Sequence, residues 1–297
     1  MNGVPFRDVF WLITLALVWG SSFAAIKVAV ETMPPMTMVA VRTVIALCVL
    51  LPIMITQRAR LPRDIKSWYM GFVLGVFGLA LPFFLIGWGE ERVASGQAAI
   101  LMAAMPIATI ALAHFFARGD QFHWRKLVGI VLGFSGVLVL VGPEAVKGLG
   151  GQIWHQIAIA GAAICYAINA IVTRNLPSCG TLIGRAVMVM ACGVAISIPL
   201  AILLDGATAV FDASAESIWI TLYLGVLPTG LATLIYFYIV EARGPSFFSF
   251  VNYLNPVFGV LWGAFLLSEI VHLEAVLALA TILVGVAISS WAPKTKL

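Results

Sequence analysis

The sequence predicts an all-α integral membrane protein with ten transmembrane helices arranged as two five-helix repeats. Hydrophobic residues make up 62% of the 297-residue chain and charged residues 10%, against about 25% charged residues in a soluble domain. The apolar runs are about 20 residues long, which is the length of an α-helix that spans a bilayer. They lack the polar–apolar alternation of strands in a membrane barrel. A weak internal repeat, described below, divides the runs into two sets.

Ten apolar runs define the predicted spans, and the connections between them are too short to hold a soluble domain. The first run follows Arg7 and is followed by small residues, as in a signal peptide. It continues to Lys27 and Glu31 and has a counterpart in the repeat, so we expect a retained helix. The predicted spans are 9–29, 36–56, 68–88, 94–116, 124–142, 153–173, 182–204, 217–240, 245–267 and 271–291.

The distribution of basic residues predicts that both termini are cytoplasmic, because cytoplasmic ends of spans carry an excess of Lys and Arg. With this orientation only Lys27, Arg42, Arg92 and Lys147 of the 17 basic residues are external, and most acidic residues are external. The net charge of +4 therefore reflects membrane topology, and no nucleic-acid partner is expected. The cytoplasmic basic residues are Arg7, Arg58, Arg60, Arg63, Lys66, Arg118, Arg125, Lys126, Arg174, Arg185, Arg243, Lys294 and Lys296.

The internal repeat predicts two related units, residues 1–147 and 148–297, that form one structural body. The motif Leu-Gly-Val at 74–76 returns at 224–226, and the same offset relates Pro106 to Pro256. Five helices per unit is an odd number, so the second unit begins on the opposite side of the membrane. Inverted repeats of this kind frame a central cavity in secondary transporters, where the units exchange conformations to open it to either side.

Two prolines lie at equivalent positions in the fourth helix of each unit. A proline inside a helix removes the hydrogen bond to the carbonyl four residues earlier, here that of Met102 for Pro106 and of Asn252 for Pro256. In lipid, a freed carbonyl must find another partner or line a cavity. Either proline alone could be a structural kink, but their equivalence favours two hinges around one cavity.

A polar and aromatic face predicts one wall of that cavity. Tyr166, Asn169 and Thr173 follow the spacing i, i+3, i+7 and share a helix face. In the first unit Trp19 and Ser22 take the places of Tyr166 and Asn169. The alternative is that these side chains only form interhelical hydrogen bonds and packing contacts.

Amide and thioether side chains predict two further walls. Asn252 and Asn255 precede one hinge proline, and Met102 and Met105 precede the other. Amides and free carbonyls suit a carboxylate and an ammonium group, whereas methionine adapts to apolar shapes. The candidate substrate-binding residues, completed by two aromatic residues of the third helices, are Trp19, Ser22, Met102, Met105, Tyr166, Asn169, Asn252, Asn255, Trp88 and Tyr236.

Several kinds of chemistry are not indicated by the sequence. No Asp or Glu lies in the middle of a predicted span, so the buried carboxylate of a proton-coupled cation pump is not visible. This favours movement down a gradient, or a coupling that the sequence does not reveal. Arg42 is expected to snorkel to the membrane surface, the alternative being a gate formed with an acidic neighbour, and His114 is expected to be structural. The four cysteines form no CxxC pair, so no metal or other cofactor is expected, and no catalytic motif indicates an enzyme.

Four features of the sequence are informative in combination: the segment 17–23 (LVWGSSF), Arg42, the two hinge prolines and the Leu-Leu-Ser-Glu run ending at Glu269. Together they resemble the EamA-type branch of the drug/metabolite transporter superfamily. The resemblance covers essentially the whole chain. Within this branch, the chain is most similar to bacterial amino-acid exporters of the YddG type. It implies ten helices, an inverted five-helix repeat and a central cavity. The first unit departs from the family pattern, because it has Gly119-Asp120 where the family usually has glycine and glutamate, which weakens any role for that acid.

The resemblance implies a secondary transporter that exports neutral or aromatic amino acids across the bacterial inner membrane by alternating access. The expected partners are a small-molecule substrate and the lipid bilayer, and the expected form is a monomer or homodimer. A drug, nucleotide-sugar or metabolite exchanger of the same fold is the alternative. A membrane enzyme or scaffold is a remote one.

Overall fold

The computed structural model describes residues 5–116, 124–146, 150–174, 180–243, 245–248 and 250–290, and all regular structure in them is helical. The helices are α1 (Phe6–Ala29), α2 (Pro35–Thr56), α3 (Ile65–Gly75), α4 (Leu81–Glu90), α5 (Ser95–Met102), α6 (Met105–Phe116), α7 (Trp124–Val146), α8 (Gly150–Arg174), α9 (Leu182–Leu204), α10 (Ala215–Leu224), α11 (Ala232–Arg243), α12 (Pro245–Phe248), α13 (Val251–Leu267) and α14 (Leu273–Ser290). Two π-helical segments, Val76–Ala80 and Gly225–Leu231, join α3 to α4 and α10 to α11. The prediction of an all-helical protein is confirmed.

Within the described residues, six helical stretches are long and apolar enough to cross a membrane, and four shorter apolar helices accompany them. The long stretches are Phe6–Ala29, Pro35–Thr56, Ile65–Glu90, Gln152–Thr173, Leu182–Leu204 and Ala215–Ile239. The shorter ones are Ser95–Thr109, Leu127–Val139, Val251–Leu267 and Leu273–Ile288. Each coincides in position with one predicted span. The chain is therefore a multi-pass membrane protein.

Helix α1 packs on α10, α11 and α13 of the second half of the chain and on α5 of the first half. Glycines allow the close approach: a Cβ on Gly20 would lie 2.7 Å from the Cβ of Phe258. A Cβ on Gly259 would lie 2.3 Å from the Cβ of Ala99. Small residues at helix contacts let backbones approach in a membrane bundle, and here they bring α1, α5 and α13 together.

The end of the bundle at which α1 begins is here called the proximal end, and the opposite one the distal end. At the distal end, the carboxylate of Glu269 accepts hydrogen bonds from the backbone N–H groups of Ser95 (2.7 Å) and Gly96 (2.9 Å). It thereby caps the N-terminus of α5, where the helix dipole favours a negative charge. Glu269, from the second half of the chain, therefore has a structural role at the start of α5 in the first half. Asp120 lies outside the described residues.

The two hinge prolines differ in their surroundings. Pro256 lies inside α13, as predicted for a proline within a helix. Pro106 does not: α5 ends at Met102, α6 begins at Met105, and Pro106 is the second residue of α6. The expectation of a helix-interior proline is therefore corrected for Pro106, since the first turn of a helix accepts proline without losing a bond.

Both copies of the Leu-Gly-Val motif, 74–76 and 224–226, coincide with the start of a π-helical segment. In the second segment Pro228 has no N–H group, so the carbonyl of Leu224 loses its α-helical donor. The hydroxyl of Thr229 donates to that carbonyl at 2.8 Å instead. π-Helical turns recur at functional sites, so both segments are candidate positions for a functional site.

Candidate substrate site

An aromatic group on the proximal side of the bundle contains two of the predicted site residues. The ring centroids of Trp19 and Tyr236 are 6.5 Å apart. Phe248 of α12 lies 6.0 Å from Trp19 and 4.8 Å from Tyr236, edge-on to both. The indole N–H of Trp19 donates to the carbonyl of Pro228 at 3.0 Å. The structure thus joins Trp19 to Tyr236 and adds Phe248, which the sequence analysis missed although it lies in an aromatic run beside α13.

A second group contains Tyr166 and Met102. Both side chains are partly buried and pack against the same hydrophobic cluster, which includes Ile26, Met38 and Phe83. This cluster draws on α1, α2 and α4. The two predicted residues therefore come from different halves of the chain and share one core.

The amide of Asn169 faces the first π-helical segment. Its Oδ1 lies 2.5 Å from the position that a Cβ on Gly78 would take. Glycine at position 78 thus leaves room for the amide, and any larger residue would displace it. This contact supports a role for the segment in positioning Asn169.

The remaining polar and thioether candidates are only partly exposed. Ser22 is buried, and its hydroxyl donates to the carbonyl of Val18 in its own helix at 3.4 Å. Asn255 Oδ1 is buried and has no hydrogen-bond partner in the described part of the chain. Asn252 and Met105 are partly buried. An unpaired buried amide oxygen is costly unless it meets a partner, so Asn255 has the character expected of a binding group.

Trp88 lies apart from these groups, at the distal end. Its indole stacks on the imidazole of His155 with 4.4 Å between ring centroids and an interplanar angle of 27°. The neighbouring Gly89 is close-packed: a Cβ there would lie 2.4 Å from Ile159 Cγ1. Partial burial raises the pKa of the Glu91 carboxyl, and His155 opposes that shift. We call the contact of Trp88 with His155 the distal latch.

At the proximal end, polar side chains join α1 to α11. Asp8 of α1 is 2% exposed. Its carboxylate accepts a hydrogen bond from the hydroxyl of Tyr238 at 2.8 Å and one from the guanidinium of Arg243. We call this contact the proximal latch. Charge-assisted hydrogen bonds of this kind are about twice as strong as neutral ones.

Arg42 is buried in the bundle and does not snorkel, which corrects the sequence-based expectation. It is 3% exposed. Its Nε donates to the hydroxyl of Thr229 at 2.7 Å, and its guanidinium carbon lies 3.8 Å from the ring centroid of Phe83. Its Nη1 has no hydrogen-bond partner among the described residues.

Glu90 is a buried carboxylate that the sequence analysis did not anticipate. The residue is 0% exposed, and neither carboxylate oxygen has a hydrogen-bond partner within the described ranges. Lys27 donates to the backbone carbonyls of Glu90 and of Val93, at 3.1 Å for the latter. Helix α4, which ends at Glu90, packs on α8, α2 and α1.

Across the ranges that the structure describes, no group of three or more His, Cys, Asp or Glu side chains could hold a metal ion. Cys179 and the side chain of His114 lie outside those ranges. The groups that converge are aromatic, amide and cationic, and they offer binding surfaces rather than metal ligands.

A bundle of apolar helices with polar and charged side chains buried between them is the architecture of a membrane transport protein. The model of the EamA-like transporter family matches residues 7–142 and again residues 153–291. The chain belongs to the EamA-like transporter family.

Two of the following three curated relatives are named as a transporter or an exporter. The uncharacterised inner membrane transporter YedA of Escherichia coli K12 is 27% identical over 93% of this chain and 88% of its own length. Protein PagO of Salmonella typhimurium is 25% identical over 96% and 93%. A probable terminal-alkyne amino-acid exporter of Streptantibioticus cattleyicolor is 26% identical over 84% and 82%. Together with the family match, these relatives indicate a transporter rather than an enzyme.

A solved crystal structure superposes on 97% of this chain and 99% of its own, with a TM-score of 0.64 and 18% identity. At that identity the likeness shows a shared fold. It extends over the whole bundle, including both halves.

Proposed function

We propose that this protein exports amino acids, neutral or aromatic, across the bacterial inner membrane by alternating access. The observation that carries the proposal is the double match to a transporter family. One relative named as a probable amino-acid exporter suggests the substrate class, and another named as an inner membrane transporter suggests the location.

The proposed architecture is ten spanning helices with both termini cytoplasmic, in two inverted units, 1–147 and 148–297. The ten apolar helical stretches, the two matched family segments and the two π-helical segments at equivalent places support it. The excess of basic residues at the proximal end supports the orientation. The proximal end is then cytoplasmic and the distal end external.

The two latches occupy equivalent places in such an inverted repeat. The offset of 147 residues that relates the first helices takes Asp8 to His155. The offset of 150 residues that relates the third helices takes Tyr238 to Trp88. Each latch therefore joins the first helix of one unit to the third helix of the other. Opening one while the other stays closed gives alternating access.

Five central candidates lie on helices that the latches join, namely Trp19, Ser22, Tyr166, Asn169 and Tyr236, and the others lie on α5, α6 and α13. Trp19 and Tyr236 supply aromatic surface, while Tyr166 and Met102 supply a second apolar wall. Asn169, Asn252 and Asn255 supply amides for the polar end of an amino acid, with Ser22 and Met105 beside them. We assign Trp88 to the distal latch rather than to the substrate.

Transport by purified protein in proteoliposomes tests the substrate class. Vesicles are loaded with labelled phenylalanine or leucine, and efflux is compared with protein-free vesicles. We expect faster efflux with protein, and further acceleration when unlabelled amino acid is present outside. Retention of amino acids while a cationic dye or a nucleotide sugar leaves would replace this assignment by an exchanger of the same fold.

A locked variant provides the control for the mechanism. Trp88→Cys with His155→Cys, in a protein whose four native cysteines are replaced by alanine, places a thiol pair across the distal latch. Cross-linking is expected to abolish efflux, and reduction is expected to restore it. Efflux that continues at the uncross-linked rate contradicts a gate at this place.

A further inference from the structure

We infer that Arg42 binds a carboxylate group of the transported substrate. The inference rests on the proposed function and adds a named anchor for one end of the substrate. Arg42 was not among the binding residues suggested by the sequence.

Arg42 lies where both halves of the chain meet. Its side chain extends from α2, Phe83 of α4 lies beneath its guanidinium, and Thr229 of the second π-helical segment holds its Nε. Tyr166 of α8 and Tyr223 of α10 pack against the same hydrophobic cluster as Phe83. The cation is therefore held between the units, where a transported molecule must pass.

The charges around Arg42 leave it without a carboxylate of its own. No ion pair within the described residues joins Arg42 to an acidic side chain. Glu90 is the buried acid of this region, but within the described residues no hydrogen bond joins its carboxylate oxygens to Arg42. A buried cation needs a partner. Because no ion pair of Arg42 is present among the described residues, a substrate anion can take that place.

The contacts of Arg42 fix which part of its guanidinium is available. Thr229 accepts from Nε and in turn donates to the carbonyl of Leu224, and the ring of Phe83 covers one face of the group. The Nη1 end remains, buried and unpartnered within the described ranges. Arginine binds carboxylates through paired N–H groups of this fork, so the free end suits a carboxylate.

The surroundings of Arg42 place this carboxylate beside the candidate site. Phe83, Met102 and Tyr166 pack in one hydrophobic cluster, and two of these three are candidate substrate-binding residues. A substrate anchored at Arg42 would thus lay its apolar part against Met102 and Tyr166. The substrate class becomes carboxylates with an apolar side chain.

The test compares a carboxylate with its isosteric amide, because the two differ in charge but hardly in shape. Binding of phenylalanine and of phenylalaninamide to the purified protein is measured by competition against labelled phenylalanine. Wild-type protein is expected to prefer the acid by about 10- to 100-fold, the range for a hydrogen bond between charged groups. Arg42→Gln is expected to reduce the preference to about twofold or less and to leave the affinity for the amide nearly unchanged.

The conservative variant Arg42→Lys keeps the charge and loses the fork, so an intermediate preference is expected. If Arg42→Gln does not fold, Arg42→Lys still tests whether the guanidinium fork binds the carboxylate. Lys27→Gln removes a neighbouring positive charge and is expected to retain the wild-type preference. Arg185→Gln is the second control, because Arg185 also has an unpartnered buried Nε within the described residues and acts on Tyr236.

Equal losses for acid and amide in both Arg42 variants would overturn the inference and leave the proposed function standing. Loss of the preference in Arg185→Gln alone would also overturn it and would move the carboxylate to the proximal arginine. If wild-type protein binds no amino acid, the proposed function fails, and 3-phenylpropanoate against its amide then decides the role of Arg42. Absence of any preference for that acid overturns the inference as well.

Discussion

Trp19 donates its indole N–H to the carbonyl of Pro228, 209 residues later in the chain, at 3.0 Å. The bond ties the middle of α1 to the second π-helical segment. Trp19→Phe removes the donor and keeps an aromatic ring. We expect a loss of about 1 kcal/mol in the free energy of unfolding and weaker binding of amino acids. Thermal unfolding and competition binding check these two effects.

Trp262→Phe is the matched control for that change. Trp262 also donates its indole N–H to a backbone carbonyl, that of Leu17, at 3.1 Å, but it lies outside the candidate site. A similar loss of stability with unchanged substrate affinity is expected. Equal effects of both variants on affinity would mean that Trp19 acts only through packing.

Gly89→Ala is expected to strain the distal latch. The new Cβ would lie 2.4 Å from Ile159 Cγ1 and 2.9 Å from the carbonyl oxygen of His155. Overpacking of this degree costs about 1–3 kcal/mol, so the melting temperature should fall and the external end should open more readily. Gly161→Ala at the same helix contact meets only Leu85 Cδ1 at 3.7 Å. It should be neutral within about 0.5 kcal/mol, and a similar fall in both variants would contradict this account.

Asp8→Asn is expected to weaken the proximal latch. The amide can still accept from Tyr238 but loses the charge that pairs with Arg243, which corresponds to about 1.5–3 kcal/mol for a hydrogen bond to a charged group. Arg7→Gln is the comparison, because Arg7 is 71% exposed and lies 3.6 Å from Asp8, where about 1 kcal/mol or less is expected. A double-mutant cycle of Asp8→Asn with Arg243→Gln in thermal unfolding measures the coupling. A coupling near zero would remove Arg243 from the latch.

Glu269→Gln is expected to destabilise the distal end of α5. The carboxylate accepts two backbone N–H groups, and the amide retains one acceptor oxygen without charge. The loss should be about 1–2 kcal/mol, measured by thermal unfolding in detergent. Glu274→Gln is the control, since Glu274 is exposed in the first turn of α14. If the two variants melt alike, the capping role of Glu269 is wrong.

The sequence predicted the fold well because hydropathy over about 20 residues decides where a helix can cross a bilayer. It also named Trp19 and Tyr236 as candidates, and their ring centroids lie 6.5 Å apart; that both line one substrate site stays a prediction. Phe248 was missed, since a four-residue helix leaves no periodic signal. The break before Pro106 was missed for a different reason: the same apolar composition fits one bent helix or two short ones.

The burial of Arg42 and Glu90 could not be predicted from the residues next to them in the sequence. A charged residue near a span end snorkels or is buried depending on its neighbours in other helices. Arg42 is buried because Phe83 and Thr229, far away in the chain, enclose it. Glu90 is buried because Gly89 lets α4 approach α8 closely. Both effects arise from tertiary contacts, which a hydropathy profile does not contain.

The second π-helical segment also sets the rotational phase of everything that follows it. A π-helical turn accommodates about one residue more than an α-helical turn, and each residue of an α-helix turns the chain by about 100°. The faces of α10 and α11 are therefore out of phase, and a helical wheel drawn continuously from Ala215 to Arg243 assigns the wrong face to the second part. With that extra residue in place, Tyr236 contacts Trp19 and Tyr238 donates to Asp8. Deleting a single residue between Gly225 and Leu231 would turn both tyrosines away from α1 while leaving the composition of the span almost unchanged.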